Sequence, residues 1–388
     1  MKRFYIGTAL SALIISNGLA LADELKIGLL STLSGPGAAL GNEIKDGFEL
    51  ALSVSNNKLG GVPVKLIIAD DQQKASEGRQ AADRLIKRDK VDLLTGMVFS
   101  NVLLPVMPLV LNSGKIYIST NTGPMEYAGN RCHKNFFTVS WQNEDIPSAM
   151  GKYINDKKYK SVFLIAPNYP GGRESIDGFK RFFKGNIADE IYVKLGQLDY
   201  SAEIAQIRAS GADSVFFFLP GGMGVGFIKQ LVSAGLNQQL AIYTPGFSAD
   251  QDTIKAVGDP MRGMMNAAQW SPDLDNEANK RFVQLFKKKY GRLPSMYAAQ
   301  GYDAAQLISS AIKNIDGNYK DTERLREEIK KADFESVRGK FRFNNNNYPI
   351  QDYYMREVYL NDDGVLTNKT VEKIFSDYKD PFSVDCKL

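Results

Sequence analysis

The side chains that could do chemistry in this chain are few, and their spacing does not combine them. The single histidine, His133, adjoins one of only two cysteines, Cys132; the other is Cys386. Hydrolysis needs a nucleophile, a base and a group that orients the base, and one histidine supplies neither that arrangement nor a multi-histidine metal site. Gly222-Met223-Gly224-Val225-Gly226-Phe227 puts Phe227 where a dinucleotide fingerprint needs its last glycine, and no Gly-Lys-Ser/Thr phosphate loop occurs. Gly246-Phe247-Ser248-Ala249-Asp250 lacks the closing glycine of a nucleophile elbow. Asp70-Asp71 and Asn361-Asp362-Asp363-Gly364 lack the alternating ligands and distal glutamate of a calcium loop. The expectation is a protein without catalysis, cofactor or metal. What the chain does offer is small polar loops at 31–41, 96–101 and 120–124, each before a helix or turn. Free backbone N–H groups there, with a helix macrodipole, can hold an anion without a cationic side chain. Ser100 has a plainer alternative, capping its helix.

Loops of that kind need a frame. Strand-like runs at 25–30, 64–70, 91–94 and 116–118 alternate with helical stretches at 42–57, 75–88 and 102–111. A second series has strands at 161–166, 191–195, 214–219, 241–243 and 263–268, with helices at 145–155, 174–183, 202–210 and 224–234. Alternation of this sort predicts an α/β chain of two doubly wound units, whose ligands sit beyond the C-terminal ends of the strands. The second unit's loops there are 168–172, 220–222 and 245–247. Helices at 277–290, 296–315 and 322–331 have no strands of their own and must cover an existing sheet. A hairpin follows, with a strand at 353–359, a turn at 361–364 and a second short strand. The expected lobes are 23–140 plus 271–344 and 141–270 plus 345–388, joined by a three-segment hinge near Trp141, Trp270 and Asn345.

The first 22 residues read as a signal peptide: Lys2 and Arg3, a largely apolar 6–19, then Ala20-Leu21-Ala22. Cleavage before Asp23 and a periplasmic location are expected, with no integral membrane segment afterwards. The 388 residues, 44% hydrophobic and 24% charged, suffice for two cores. Removing the leader's two basic residues leaves 46 basic against 44 acidic, with no basic block, so nucleic acid is not expected as a partner. In an oxidising compartment one disulfide between Cys132 and Cys386 is the economical reading; two buried free thiols are the alternative. Lys287-Lys288-Lys289, at a helix end, reads as a solvated patch favourable to the dipole.

Several stretches carry a resemblance. They are Ser31-Thr32-Leu33-Ser34-Gly35-Pro36, Val98-Phe99-Ser100-Asn101-Val102-Leu103, Asn121-Thr122-Gly123-Pro124, Ser140-Trp141-Gln142-Asn143, Ala166-Pro167-Asn168-Tyr169, Gly178-Phe179-Lys180-Arg181, Tyr297-Ala298-Ala299-Gln300-Gly301-Tyr302-Asp303 and Gln351-Asp352-Tyr353-Tyr354. Through them the chain resembles the type I periplasmic binding proteins of the Leu/Ile/Val-binding class. Within that class it is similar to the group for aromatic, often lignin-derived, carboxylic acids. The resemblance spans essentially the whole chain after the leader. It implies a Venus-flytrap clamp for a small organic acid, with an ABC permease in the inner membrane as partner.

It also implies that Ser100, Asn121, Thr122 and Gly123 hold the ligand's carboxylate and that Tyr169 packs on the ligand. Leu33, Leu40, Phe99, Asn101, Gly221, Phe247 and Trp270 complete the expected contact set. Amino-acid binders carry a carboxylate for the ligand's ammonium in the stretch matching 244–248, where this chain has Gly246 and Phe247. A buried, unpaired ammonium costs several kcal/mol, so an acid with an apolar body is expected. Asp250 would restore the amino-acid reading if it turned inward; its expected place is the first turn of the next helix. The alternatives are a branched-chain amino-acid or amide binder, and a sensory module that presents ligand to a receptor.

Overall fold

The computed structural model describes residues 24–157 and 159–388; the expected leader lies outside them. In chain order the first lobe contains β1 (Leu25–Ser31), α1 (Ala38–Val54), β2 (Lys58–Leu59), β3 (Val62–Asp70), α2 (Ala75–Lys87), β4 (Leu93–Gly96), α3 (Ser100–Asn112), β5 (Ile116–Ser119), α4 (Met125–Ala128) and β6 (Phe136–Thr138). The sheet order is β2-β3-β1-β4-β5-β6, parallel except for β2. Every residue of β4 and β5 is buried, as a parallel sheet covered on both faces requires.

The chain then crosses to α5 (Asp145–Asp156), β7 (Ser161–Pro167), α6 (Pro170–Phe182), β8 (Asn186–Val193), α7 (Ser201–Ala209), β9 (Ser214–Phe217), α8 (Gly222–Ser233), β10 (Ala241–Pro245), α9 (Gln251–Val257) and β11 (Met265–Ala268). It returns through α10 (Glu277–Tyr290), α11 (Met296–Asn314) and α12 (Thr322–Lys331), and finishes with β12 (Arg342–Phe343), β13 (Pro349–Leu360) and β14 (Leu366–Tyr378). The second sheet runs β12-β13-β11-β10-β9-β7-β8, with β14 on β13.

Helix α11 lies on α1 at very close range. A Cβ on Gly47 would stand 1.9 Å from the Ala298 carbonyl oxygen, and one on Gly301 2.0 Å from that of Ile44. Two glycines thus let the backbones touch and fix the returning helices to the first lobe. The crossings are tied together by buried polar groups. Arg338 pairs with Asp303 at 3.0 Å and donates to Gln351 Oε1 at 2.8 Å and to the Ser140 carbonyl at 3.3 Å. Tyr353 donates to Asp145 Oδ2 at 2.7 Å.

The chain end departs from the expected second-lobe segment 345–388. After β14 it runs back to the first lobe, where Cys386 is disulfide-bonded to Cys132 with the Cα atoms 5.6 Å apart. Asn345 donates to the Ser383 carbonyl at 2.9 Å, and Asn346 donates to Asp380 Oδ2 at 3.0 Å and the Ala128 carbonyl at 2.8 Å. The second hairpin strand, expected to be short, is 13 residues long. Helix α6 begins four residues before the expected 174, because Pro170 occupies its first turn, where a missing N–H costs nothing.

Candidate ligand site

A narrow cavity lies between the lobes, at the C-terminal ends of the strands. On the first lobe β4 leads through Phe99, an extended N-cap residue, into α3. Ser100 is the first residue of that helix and makes no capping bond, so its hydroxyl is free for other work. It lies 2.5 Å from Thr122 Oγ1 and accepts from Asn143 Nδ2 at 3.1 Å. Asn143 Oδ1 in turn accepts the Gly123 N–H at 2.8 Å. The Val102 and Leu103 N–H groups already donate to the Phe99 carbonyl at 3.0 Å, so the N–H groups of α3 without an intrahelical acceptor are those of Ser100 and Asn101, at the positive end of the helix dipole. Hydroxyls, an amide and helix N–H groups converge here without a cation.

The remaining wall is aromatic. Tyr169 meets Phe99 across the cleft at 6.1 Å between ring centroids and stacks on Phe218 at 6.4 Å. Phe247 packs on Trp141 at 4.7 Å and on Phe218 at 5.2 Å. Tyr297 closes the far side, its hydroxyl 3.5 Å from the Phe247 carbonyl. Burial raises the Tyr169 hydroxyl's pKa, and Glu174 adds to the effect; the group is a neutral phenol at any physiological pH. No charged side chain is among the cavity's lining residues.

Of the residues expected from sequence, Leu40, Phe99, Ser100, Asn121, Thr122, Tyr169 and Phe247 line this cavity. Asn121 does so with its amide nitrogen committed to the Val98 carbonyl at 2.6 Å. Gly123 supports the wall through Asn143, and Gly221 lines a neighbouring cavity. Leu33, Asn101 and Trp270 are not in the wall. The Leu33 N–H binds Asp70 at 2.8 Å, and Asn101 donates to the Gln73 carbonyl at 3.2 Å. Trp270 is wholly buried, with Nε1 donating to Asn279 Oδ1 at 2.8 Å and its ring against Phe282. The other tryptophan, Trp141, takes the wall position instead. Val98, Asn143, Phe218 and Tyr297 also line the cavity outside the expected set, although Val98, Trp141, Asn143 and Tyr297 belong to stretches that carry the resemblance; Gly171 and Pro220 come from the expected loops 168–172 and 220–222.

The lobes touch beyond the cavity. Gly222 N–H donates to the Pro36 carbonyl at 3.2 Å. Met296 N–H donates to Asp250 Oδ2 at 2.7 Å, and Met125 N–H to Glu174 Oε2 at 3.1 Å. Asp250 is the N-cap residue of α9 rather than part of its first turn, and its side chain faces α11.

Two lobes that meet around an uncharged, largely aromatic cavity have the geometry of a ligand-binding protein. Residues 24–364 match the family of periplasmic binding proteins, and the chain belongs to that family. It is similar to a Leu/Ile/Val-binding protein homolog of Brucella melitensis, 27% identical over 96% of this chain and 97% of that one. A solute-binding protein of an ABC transporter from R. palustris, solved with benzoate, is 30% identical over 94% of this chain and 100% of that one, with a TM-score of 0.89. Another from R. palustris, solved with 4-hydroxybenzoate, is 26% identical over 92% and 98%, with a TM-score of 0.85. The chain is thus an ABC-transporter substrate-binding protein of the Leu/Ile/Val class, a class that serves a small ligand and a membrane permease. No helix among the described residues is long and apolar enough to cross a membrane.

Proposed function

We propose that this chain captures a small aromatic monocarboxylic acid in the periplasm, after removal of residues 1–22, and presents it to its permease. The first lobe, 23–140 with 271–344, holds the carboxylate at Ser100, Thr122 and the start of α3. The second lobe closes over the ring with Tyr169, Phe218 and Phe247. The observation that carries the reading is a cavity wall without a single acidic side chain. An α-ammonium would be buried there unpaired, at a cost of several kcal/mol, whereas a carboxylate meets neutral donors and a helix N-terminus. Asp250 lies outside this wall, with its Oδ2 accepting the Met296 N–H at 2.7 Å. The R. palustris proteins solved with benzoate and 4-hydroxybenzoate support the same ligand class.

Thermal denaturation with benzoate, 4-hydroxybenzoate, leucine, isoleucine and small amides tests the reading. A ligand at 100 times its Kd adds about 2.7 kcal/mol to stability, enough for a rise of several degrees. Benzoates should raise the melting temperature and amino acids should leave it unchanged. A shift with leucine or isoleucine alone would return the chain to the amino-acid binders.

A further inference from the structure

A second and roomier cavity, of about 250 Å³, adjoins the first. The two share three residues, Leu40, Phe247 and Tyr297, which form the partition between them. The Tyr297 hydroxyl reaches the Phe247 carbonyl only at 3.5 Å, the outer limit of a hydrogen bond. The second cavity lies between the lobes as the first does, with Pro36 and Ala39 on one side and Val225 and Ala256 on the other. It opens to solvent, since Ala39 and Ala256 are exposed.

Its polar lining differs from the first in sign. Asp250 and Asp252 line it, and Glu43 stands directly behind, accepting from the N–H of the lining residue Ser295 at 3.3 Å. Cations also stand near: Arg356 acts on Asp250, and Arg292 and Lys255 on Asp252, with Arg292 further paired to Glu43 and to Asp46, the latter at 2.6 Å. A tail entering this cavity meets apolar carbons and the two aspartates, with no cationic side chain on the wall. It can be alkyl or hydroxyalkyl, but a second carboxylate would be repelled.

We propose that the second cavity is a subsite for an uncharged tail on the ring, so that the ligand class includes aryl monocarboxylates extended opposite the carboxylate and excludes dicarboxylates. This rests on the aromatic-acid reading above, with the carboxylate at Ser100 and the ring between Tyr169 and Phe247. Each tail methylene taken from water into the cavity tightens binding about threefold to fourfold.

Calorimetric titration of the purified protein with benzoate, 4-butylbenzoate and terephthalate tests it, together with variants that fill the second cavity from its half-exposed and exposed sides, Val225→Phe and Ala256→Phe. The expected result is 4-butylbenzoate at least about tenfold tighter than benzoate, and no detectable terephthalate binding. Each variant should lose that gain while binding benzoate as the parent protein does, which also shows that it is folded. Benzoate binding with 4-butylbenzoate excluded, or terephthalate bound as well as benzoate, overturns the subsite and leaves the aromatic-acid reading standing. Binding of leucine with no aryl acid bound overturns both.

Discussion

Trp141 and Trp270 show how far single residues could be read. Both fall at lobe crossings, and Trp270, not Trp141, was the one expected against the ligand. The difference is made by one hydrogen bond: Asn279, in the first turn of α10, takes the Trp270 indole N–H and draws that ring into the core. Trp141 has Phe247 as its neighbour and remains on the cavity wall. The cradle at Ser100 and Thr122 was legible because small polar residues before a helix have a chemical meaning of their own. Phe218 was not, because a strand ending in phenylalanines looks the same whether it points at core or at ligand. The two tryptophans give this distinction an optical test. Benzoate should change tryptophan emission saturably in the parent protein and in Trp270→Phe, and Trp141→Phe should lose most of the change. If Trp270→Phe is the silent variant, the indole assignment is reversed.

Among elements, legibility followed punctuation. Helices α10 and α12 have the expected limits, since Asn276 and Asp321 cap their first turns, and Gly291, in a left-handed conformation, ends α10. The four-residue α4 and three-residue β6 are too short for any periodicity to register. The bond from the start of α11 to Asp250 was not visible either, because it joins residues 46 apart in the chain on opposite lobes. It has a pH signature. Burial pushes the Asp250 carboxyl up to about 6 from 3.8, against the pull of Arg356 and of the Met296 N–H. Between these values the native protein holds a proton that the unfolded chain has released, so this group's contribution to stability falls as pH rises from about 4 to about 6 and is level above. The whole effect is at most about 3 kcal/mol. Urea unfolding of the parent protein and of Asp250→Asn, compared at pH 4.5, 5.5 and 6.5, should show a stability difference that changes through this window. Parallel pH profiles would mean that Asp250 titrates as an ordinary exposed carboxylate.

For the molecule as a whole, two α/β units and a composite hinge follow from the order of strands and helices, but the path of the chain end does not. Pairing Cys132 with Cys386 was inferred from count and compartment, which say nothing about which lobe the tail joins. The structure carries it back across the gap, so four chain connections link the lobes where three were expected. Their position decides what the extra one does. The tail docks beside the third crossing, through Asn345 and Asn346, and on α4, whereas Ser100 and Tyr169 line the cleft. A staple at the pivot should stabilise the fold without preventing rotation about it. Its closed loop of 254 residues gives a chain-entropy effect somewhat above the ~4.7 kcal/mol of a 100-residue loop, an upper figure because engineered and native bridges often deliver less. Cys386→Ser should therefore lower the melting temperature by several degrees. Solution scattering should still show the radius of gyration falling when benzoate is added, because closure is driven by a ligand that touches both lobes at once. Loss of that compaction in Cys386→Ser, with benzoate still bound, would show instead that the disulfide sets the axis about which the lobes turn.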